Sequence, residues 1–217
     1  MKKRPVPLMD IYRALFGRWG PQHWWPGDTP LEVSVGAVLT QNTNWRNVEK
    51  AIANLKKNHA LSVRALERAP AGKLAEWIRP AGYFNVKAKR LKAFIGTVRK
   101  TSGYTMRRMA GIETGELRRI LLETSGIGPE TADSILLYAF ERPLFVVDAY
   151  TRRMLTRHHW IARNASYADI AELFTEALPN KTQLFNEYHA LIVKLGKEHC
   201  KKNARCEGCP LEKWLPA

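Results

Sequence analysis

Cysteine is nearly missing from this 217-residue chain, and the three that occur, Cys200, Cys206 and Cys209, fall within ten residues of one another. So clustered a set cannot staple a fold. Without a secretion signal it indicates a reducing cytosol and metal chemistry in place of disulfides. There is no run of about eighteen apolar residues, and hence no candidate membrane span. The opening "MKKRPVP" has the charge of a signal-peptide start, but no apolar segment follows it. Internal repeats, low-complexity linkers and convincing alternating strand pairs are absent as well. Acid is the scarcer charge, 20 Asp and Glu against 35 Lys and Arg, for a formal net charge of +15. That excess calls for a polyanionic partner, nucleic acid ahead of a membrane, with charge for solubility alone as the bland alternative.

What the chain does have is core material, 45% hydrophobic and 10% aromatic residues, ample for a packed interior. Apolar residues recur at helical spacing almost throughout. "LEVSVGAVLTQ" could pass for a strand by its β-branched residues, yet Val35, Val38 and Leu39 also fit one helical face, and Val48, Ile52 and Leu55 continue the pattern in "NWRNVEKAIANLKK". Segments such as "VKAKRLKAFIGTVRK", "GELRRILLETS", "AYTRRMLTRHH" and "LFNEYHALIVKLG" follow, separated by Pro, Gly or Asn. The expectation is an all-α protein of about ten helices.

"TSGIGPETADSILLYAF" (124–140) reads as a helix end, a turn with Gly126 and Gly128, and a new helix opening at Pro129. Glycines there allow a tight turn and a close approach of backbone to another surface. Amides left pointing outward at the new helix suit phosphate oxygens and ignore base sequence. The same turn could equally be a plain αα-hairpin whose glycines only permit packing.

About twenty residues later comes "LFVVDAYTRRML", an apolar run ending in Asp148. Together these resemble the helix-hairpin-helix and Gly/Pro-Asp signature of the endonuclease III superfamily of DNA glycosylases. "GAVLTQNTNWRNVEKAI", "AGYFNVKAKRL" and "HALIVKLGKEHCKKNARCEGCPL" match further family segments in the same order over residues 30 to 211. The resemblance implies a two-domain helical fold with a cleft between the domains: a six-helix domain over residues 26–134 carrying the hairpin, and a second helical domain from 1–25 plus 135–217 holding the catalytic Asp and the cysteine loop. It implies damaged double-stranded DNA as partner, a monomer, and a cytoplasmic, nucleoid-associated protein.

By the same resemblance, Asp148 is the catalytic carboxylate that stabilises positive charge at C1′ of an extruded nucleotide. Its plain alternative is an N-cap, and it can be both. Gln41 matches the residue that fills the gap left by the extruded base, Tyr83 the wedge in the opposite loop, and Gly126, Gly128 and Thr131 the hairpin's DNA contacts. As alternatives, Gln41 is a surface amide and Tyr83 a core aromatic. Glu130 stands where strand-nicking members carry a lysine, and a carboxylate cannot form an imine. The implied enzyme is therefore a monofunctional glycosylase that leaves an intact abasic site.

Seven tryptophans occur in the chain, and "WWP" ahead of "GAVLTQNTNW" resembles the 3-methyladenine branch of the superfamily. Trp25 and Trp45 are expected to sandwich the base, Trp24 to line the pocket and Lys197 to lie near it. Indole faces attract cationic rings such as alkylated purines, although core packing is the ordinary use of a tryptophan. Rival readings are a mismatch-directed or oxidised-base glycosylase with weak AP lyase activity, and a non-catalytic structure-specific DNA-binding protein.

The family's iron–sulfur loop has the pattern C-x6-C-x2-C-x5-C. Here five residues separate Cys200 from Cys206, and Leu215 stands at the fourth position. A [4Fe-4S] cluster with a non-cysteine fourth ligand, a zinc ion held by the three thiolates and His199, and a degenerate loop kept for Lys201, Lys202 and Arg205 all remain open.

Overall fold

The computed structural model describes residues 6–216. The signal-like charge of "MKKRP" lies outside them. Twelve α-helices are present among the described residues: α1 Leu8–Trp19, α2 Pro30–Thr40, α3 Trp45–Lys57, α4 Val63–Arg68, α5 Ala71–Trp77, α6 Phe84–Ser102, α7 Met106–Ala110, α8 Thr114–Leu122, α9 Pro129–Ser134, α10 Ala149–Arg157, α11 Tyr167–Ala177 and α12 Thr182–Glu198. There is no strand. The count exceeds the expected ten because short pieces such as α7 carry too few turns to display a period.

Caps explain most helix starts. Thr29, Asn44, Ser62 and Thr105 each accept a backbone N–H from the first turn they precede, and Ser166 with Asp169 forms a complete capping box at α11. Every residue of α2 from Leu31 to Leu39 is buried. A helix covered on all sides has no polar stripe, which is why its sequence also passed for a strand.

The chain divides into two compact units, Pro26–Arg142 and the remainder, Met1–Trp25 with Pro143–Ala217. The first unit therefore extends past residue 134, and it contains eight α-helices, α2 to α9, where six were expected. The extension has a physical reason. The backbone of α9 runs directly into a π-helical turn, Ile135–Ala139, whose Ile135, Leu136, Leu137 and Ala139 are buried and which packs on α2. In α6, Leu91, Phe94, Ile95 and Val98 form the buried stripe.

The other unit is built on aromatic rings. Phe145 stacks on Phe174 at 3.7 Å and meets Phe185 and Tyr188 edge-on. The Tyr188 hydroxyl donates to the Leu8 carbonyl at 2.8 Å, tying α12 to α1. Leu8, Ile11 and Leu15 bury the inner face of α1.

Candidate active site and DNA-facing surface

Buried Val146 and Val147 deliver the chain to Asp148, which has extended backbone and caps α10. One carboxylate oxygen accepts the Thr151 N–H at 2.7 Å. The other lies 3.6 Å from Nε2 of His189 on α12, an ion-pair distance longer than a normal hydrogen bond. Burial pushes the Asp148 carboxyl up, but attraction to His189 and the Thr151 bonds outweigh it and hold the group below its ordinary 3.8. A nearly dry carboxylate is thus kept ionised by one imidazole and one helix start. His189 escaped the sequence reading because a lone histidine on an apolar helix face looks like core.

Two contacts set α10 against α12. A Cβ on Gly196 would meet the Tyr150 ring at 2.1 Å, so the helices touch where glycine leaves room. Arg153 lies over the Tyr150 ring at 4.9 Å and donates to the carbonyls of Gly196 and Cys200.

In the same unit Trp24 and Trp25, both half-buried, meet edge to face at 5.7 Å. The exposed Lys197 places its ammonium 5.7 Å from the Trp24 ring centre. Trp45 belongs to the other unit. It donates its indole N–H to Glu49 at 2.9 Å and lines a groove of about 260 Å³ with Asp28, Glu32 and Lys56.

Cys200, Cys206 and Cys209 line one small cavity with Leu215, His158 and His199. The Cys209 thiol is pushed up, first by burial. Among the described residues no group of three or more His, Cys, Asp and Glu is arranged to hold a metal ion. The Nδ1 of His199 is engaged with the Arg205 carbonyl at 3.1 Å, and the fourth cluster position is the alkyl side chain of Leu215. What visibly secures the loop is arginine: Arg157 donates to the Cys200 sulfur at 3.3 Å and to the carbonyls of Lys201 and Lys202.

The hairpin lies wholly in the Pro26–Arg142 unit, and its two glycines have different reasons. Gly126 has φ +83°, and a Cβ there would meet the Arg90 side chain at 2.3 Å. It is glycine for conformation and for close packing inside the protein. Gly128 has nothing within 4 Å of a Cβ and immediately precedes Pro129, so its open side faces outward. Thr131 is 7% exposed, and its hydroxyl accepts from Gln41 Nε2 at 2.9 Å. Gln41 also donates to the Gly126 carbonyl at 3.0 Å and accepts from Arg90. In this structure Gln41 is therefore fastened to the hairpin and is not a loose surface amide. Tyr83 is no core aromatic: it is 72% exposed with φ +46°. Gln41, Asn42, Tyr83, Val86, Lys87 and Arg90 line one groove of about 320 Å³. Glu130 is exposed.

Lys87 belongs to a basic run with Lys89, Arg90 and Lys92. It is 1% exposed. Its ammonium donates to the carbonyls of Leu39 at 2.8 Å and Ala81 at 2.7 Å, and burial, with Arg90 nearby, lowers its pKa to about 8.

Residues 35–180 match the family described as the HhH-GPD superfamily of base excision DNA repair proteins. Over 209 residues the chain is 48% identical to a candidate DNA repair glycosylase of Methanocaldococcus jannaschii, covering 95% of this chain and 94% of that relative. Endonuclease III of Thermotoga maritima is 27% identical over 206 residues, 94% of this chain and 90% of the relative. Among solved structures, H. pylori 3-methyladenine DNA glycosylase bound to 1,N6-ethenoadenine superposes with a TM-score of 0.78 at 29% identity, covering 89% of this chain and 98% of that one. An endonuclease III–DNA complex superposes with a TM-score of 0.82 at 19% identity, covering 97% and 95%, a likeness of fold alone.

Proposed function

The chain belongs to the HhH-GPD superfamily of base excision DNA repair proteins and is a DNA glycosylase, and from that premise we propose a monofunctional enzyme that removes alkylated purines such as 3-methyladenine. The observation that carries the chemistry is Asp148, a largely buried carboxylate held below its ordinary range by His189 and the Thr151 bonds. As the N-glycosidic bond of an extruded nucleotide lengthens, positive charge grows on the sugar, and a fixed negative group in a low-dielectric site stabilises it strongly. Water attacks C1′, the base departs with the bond's electron pair, and the abasic strand stays intact.

Two features support the absence of a lyase step. The imine position holds Glu130, and the buried amine of Lys87 is committed to two carbonyls. For the substrate, support comes from the relative at 29% identity, a 3-methyladenine enzyme, and from the indoles. A cationic purine gains cation–π and stacking energy on such faces and is already a good leaving group, so little acid catalysis at the base is required. In this reading Trp24, Trp25 and Trp45 are the candidate stacking residues for the base, with Lys197 beside Trp24. Tyr83 enters the duplex, Gln41 does so on giving up its bonds to Gly126, Thr131 and Arg90, and the backbone at Gly128 approaches a phosphate.

The test is a glycosylase assay on methylated duplex DNA. The expected result is release of 3-methyladenine and strands that break only after alkali or heat. A covalent adduct trapped by borohydride would overturn the monofunctional assignment; release of uracil or 8-oxoguanine alone would overturn the substrate.

A further inference from the structure

Among the described residues, Lys87 is the one lysine that the proposed chemistry does not use and that the fold has nonetheless buried. Its two acceptors are informative. Leu39 belongs to the last turn of α2, where carbonyls lack helical partners. Gln41 follows it by two residues. Ala81 closes the 3-10 turn Arg79–Ala81, and Tyr83 follows it by two residues. Between Ala81 and α6 the chain turns through two consecutive positive φ values, Gly82 at +68° and Tyr83 at +46°. A single ammonium therefore joins the backbone just upstream of both groove-lining side chains. No apolar residue could do this, because each carbonyl needs a donor. Burying the charge has a cost, visible in the depressed pKa, and a pure packing site would avoid it.

We propose that Lys87 is a positioning residue for base extrusion: by bonding Leu39 and Ala81 together it fixes the separation of the Gln41 and Tyr83 loops, so that both side chains enter the duplex in register. This rests on the reading of Gln41 and Tyr83 as the residues that enter DNA. The tie acts on the opening of the helix and leaves phosphate anchoring and the carboxylate untouched.

The experiment uses a duplex with 2-aminopurine beside an abasic analogue, whose fluorescence rises when inserted side chains unstack its neighbours. That signal does not depend on which lesion the enzyme prefers. Lys87→Met, Tyr83→Ala and the double variant are compared with the parent well below their melting temperatures. Lys87→Met should reduce the rate of the fluorescence rise roughly ten- to a hundred-fold, the scale of a loop misplaced by about 1 Å, with affinity for the same duplex within a few fold. In the Tyr83→Ala background the substitution should add little, because the two act on one step. Full additivity, or a Lys87→Met protein whose only change is a lower melting temperature, overturns the proposal. If Tyr83→Ala and Gln41→Ala both leave the signal intact, the failure lies with the reading of the groove and takes the proposal with it. Should Lys87→Met be too unstable to assay, Lys87→Gln, which keeps a donor too short to reach both carbonyls, serves in the same comparison.

Discussion

Asp148→Asn is expected to reduce base release by about a thousand-fold or more, the scale of losing a preorganised electrostatic partner of the transition state, while affinity for abasic-site DNA stays within a few fold. The substitution is informative because asparagine caps helices as well as aspartate does. The Thr151 N–H keeps an acceptor, so a purely structural Asp148 would show little change in anything. Single-turnover release, abasic-DNA affinity and thermal melting separate the cases; base release at nearly the parent rate would return Asp148 to the role of a cap. The pH dependence follows from the sign of the shift. A carboxyl whose folded pKa lies below its unfolded value contributes stability above the unfolded value, near 3.8, and loses it as pH falls through the folded value. The stability difference between parent and variant should thus persist at neutral pH and close only below about 3.8, readable in melts across that range.

Gly128→Asp should weaken binding to every DNA sequence alike, by about ten-fold or more at low salt, with an unchanged melting temperature. The position has open space for a side chain, so the fold tolerates the change. What suffers is the approach of a phosphate to the backbone, now faced by a like charge. Gly126→Ala should behave in the opposite way: its left-handed backbone and the Arg90 contact at 2.3 Å make it destabilising, and whatever remains folded should bind nearly normally. Filter binding beside calorimetry on both variants decides the matter. An intact Gly128→Asp fold with unchanged affinity removes the phosphate anchor from the reading.

These two glycines also mark where the sequence could be read and where it could not. Their spacing before Pro129 announced a tight turn between helices, because turn chemistry is local, and the family resemblance made it a helix-hairpin-helix. That one of them makes room for Arg90, thirty-six positions away, is a tertiary fact with no local trace. The same division runs through the site. The run before Asp148 announced only a cap, and the family resemblance made it a candidate carboxylate, whereas His189 lies on another helix and has no pattern of its own. Lys87 looked like its neighbours Lys89 and Arg90 in a basic run, and only burial separates them. The helical class emerged from periodicity in the half-exposed helices. It faltered at fully covered α2 and at the π turn, where nearly every residue is buried and no periodic stripe shows.

The contact between Gly196 and Tyr150 carries a consequence for how such chains diverge. Tyr150 stands two residues after Asp148, and Gly196 one α12 segment beyond His189, so the spacing that the pair enforces is inherited by the carboxylate and the imidazole together. A methyl group at 196 would collide with the ring at 2.1 Å, and only a smaller side chain at 150 would relieve it. The two positions are therefore expected to drift as a pair: in relatives where 196 is no longer glycine, 150 should have surrendered its aromatic ring. A collection of sequences in which they vary independently would mean that the helices adjust their separation freely, and that the geometry around Asp148 is maintained by something other than this point of contact.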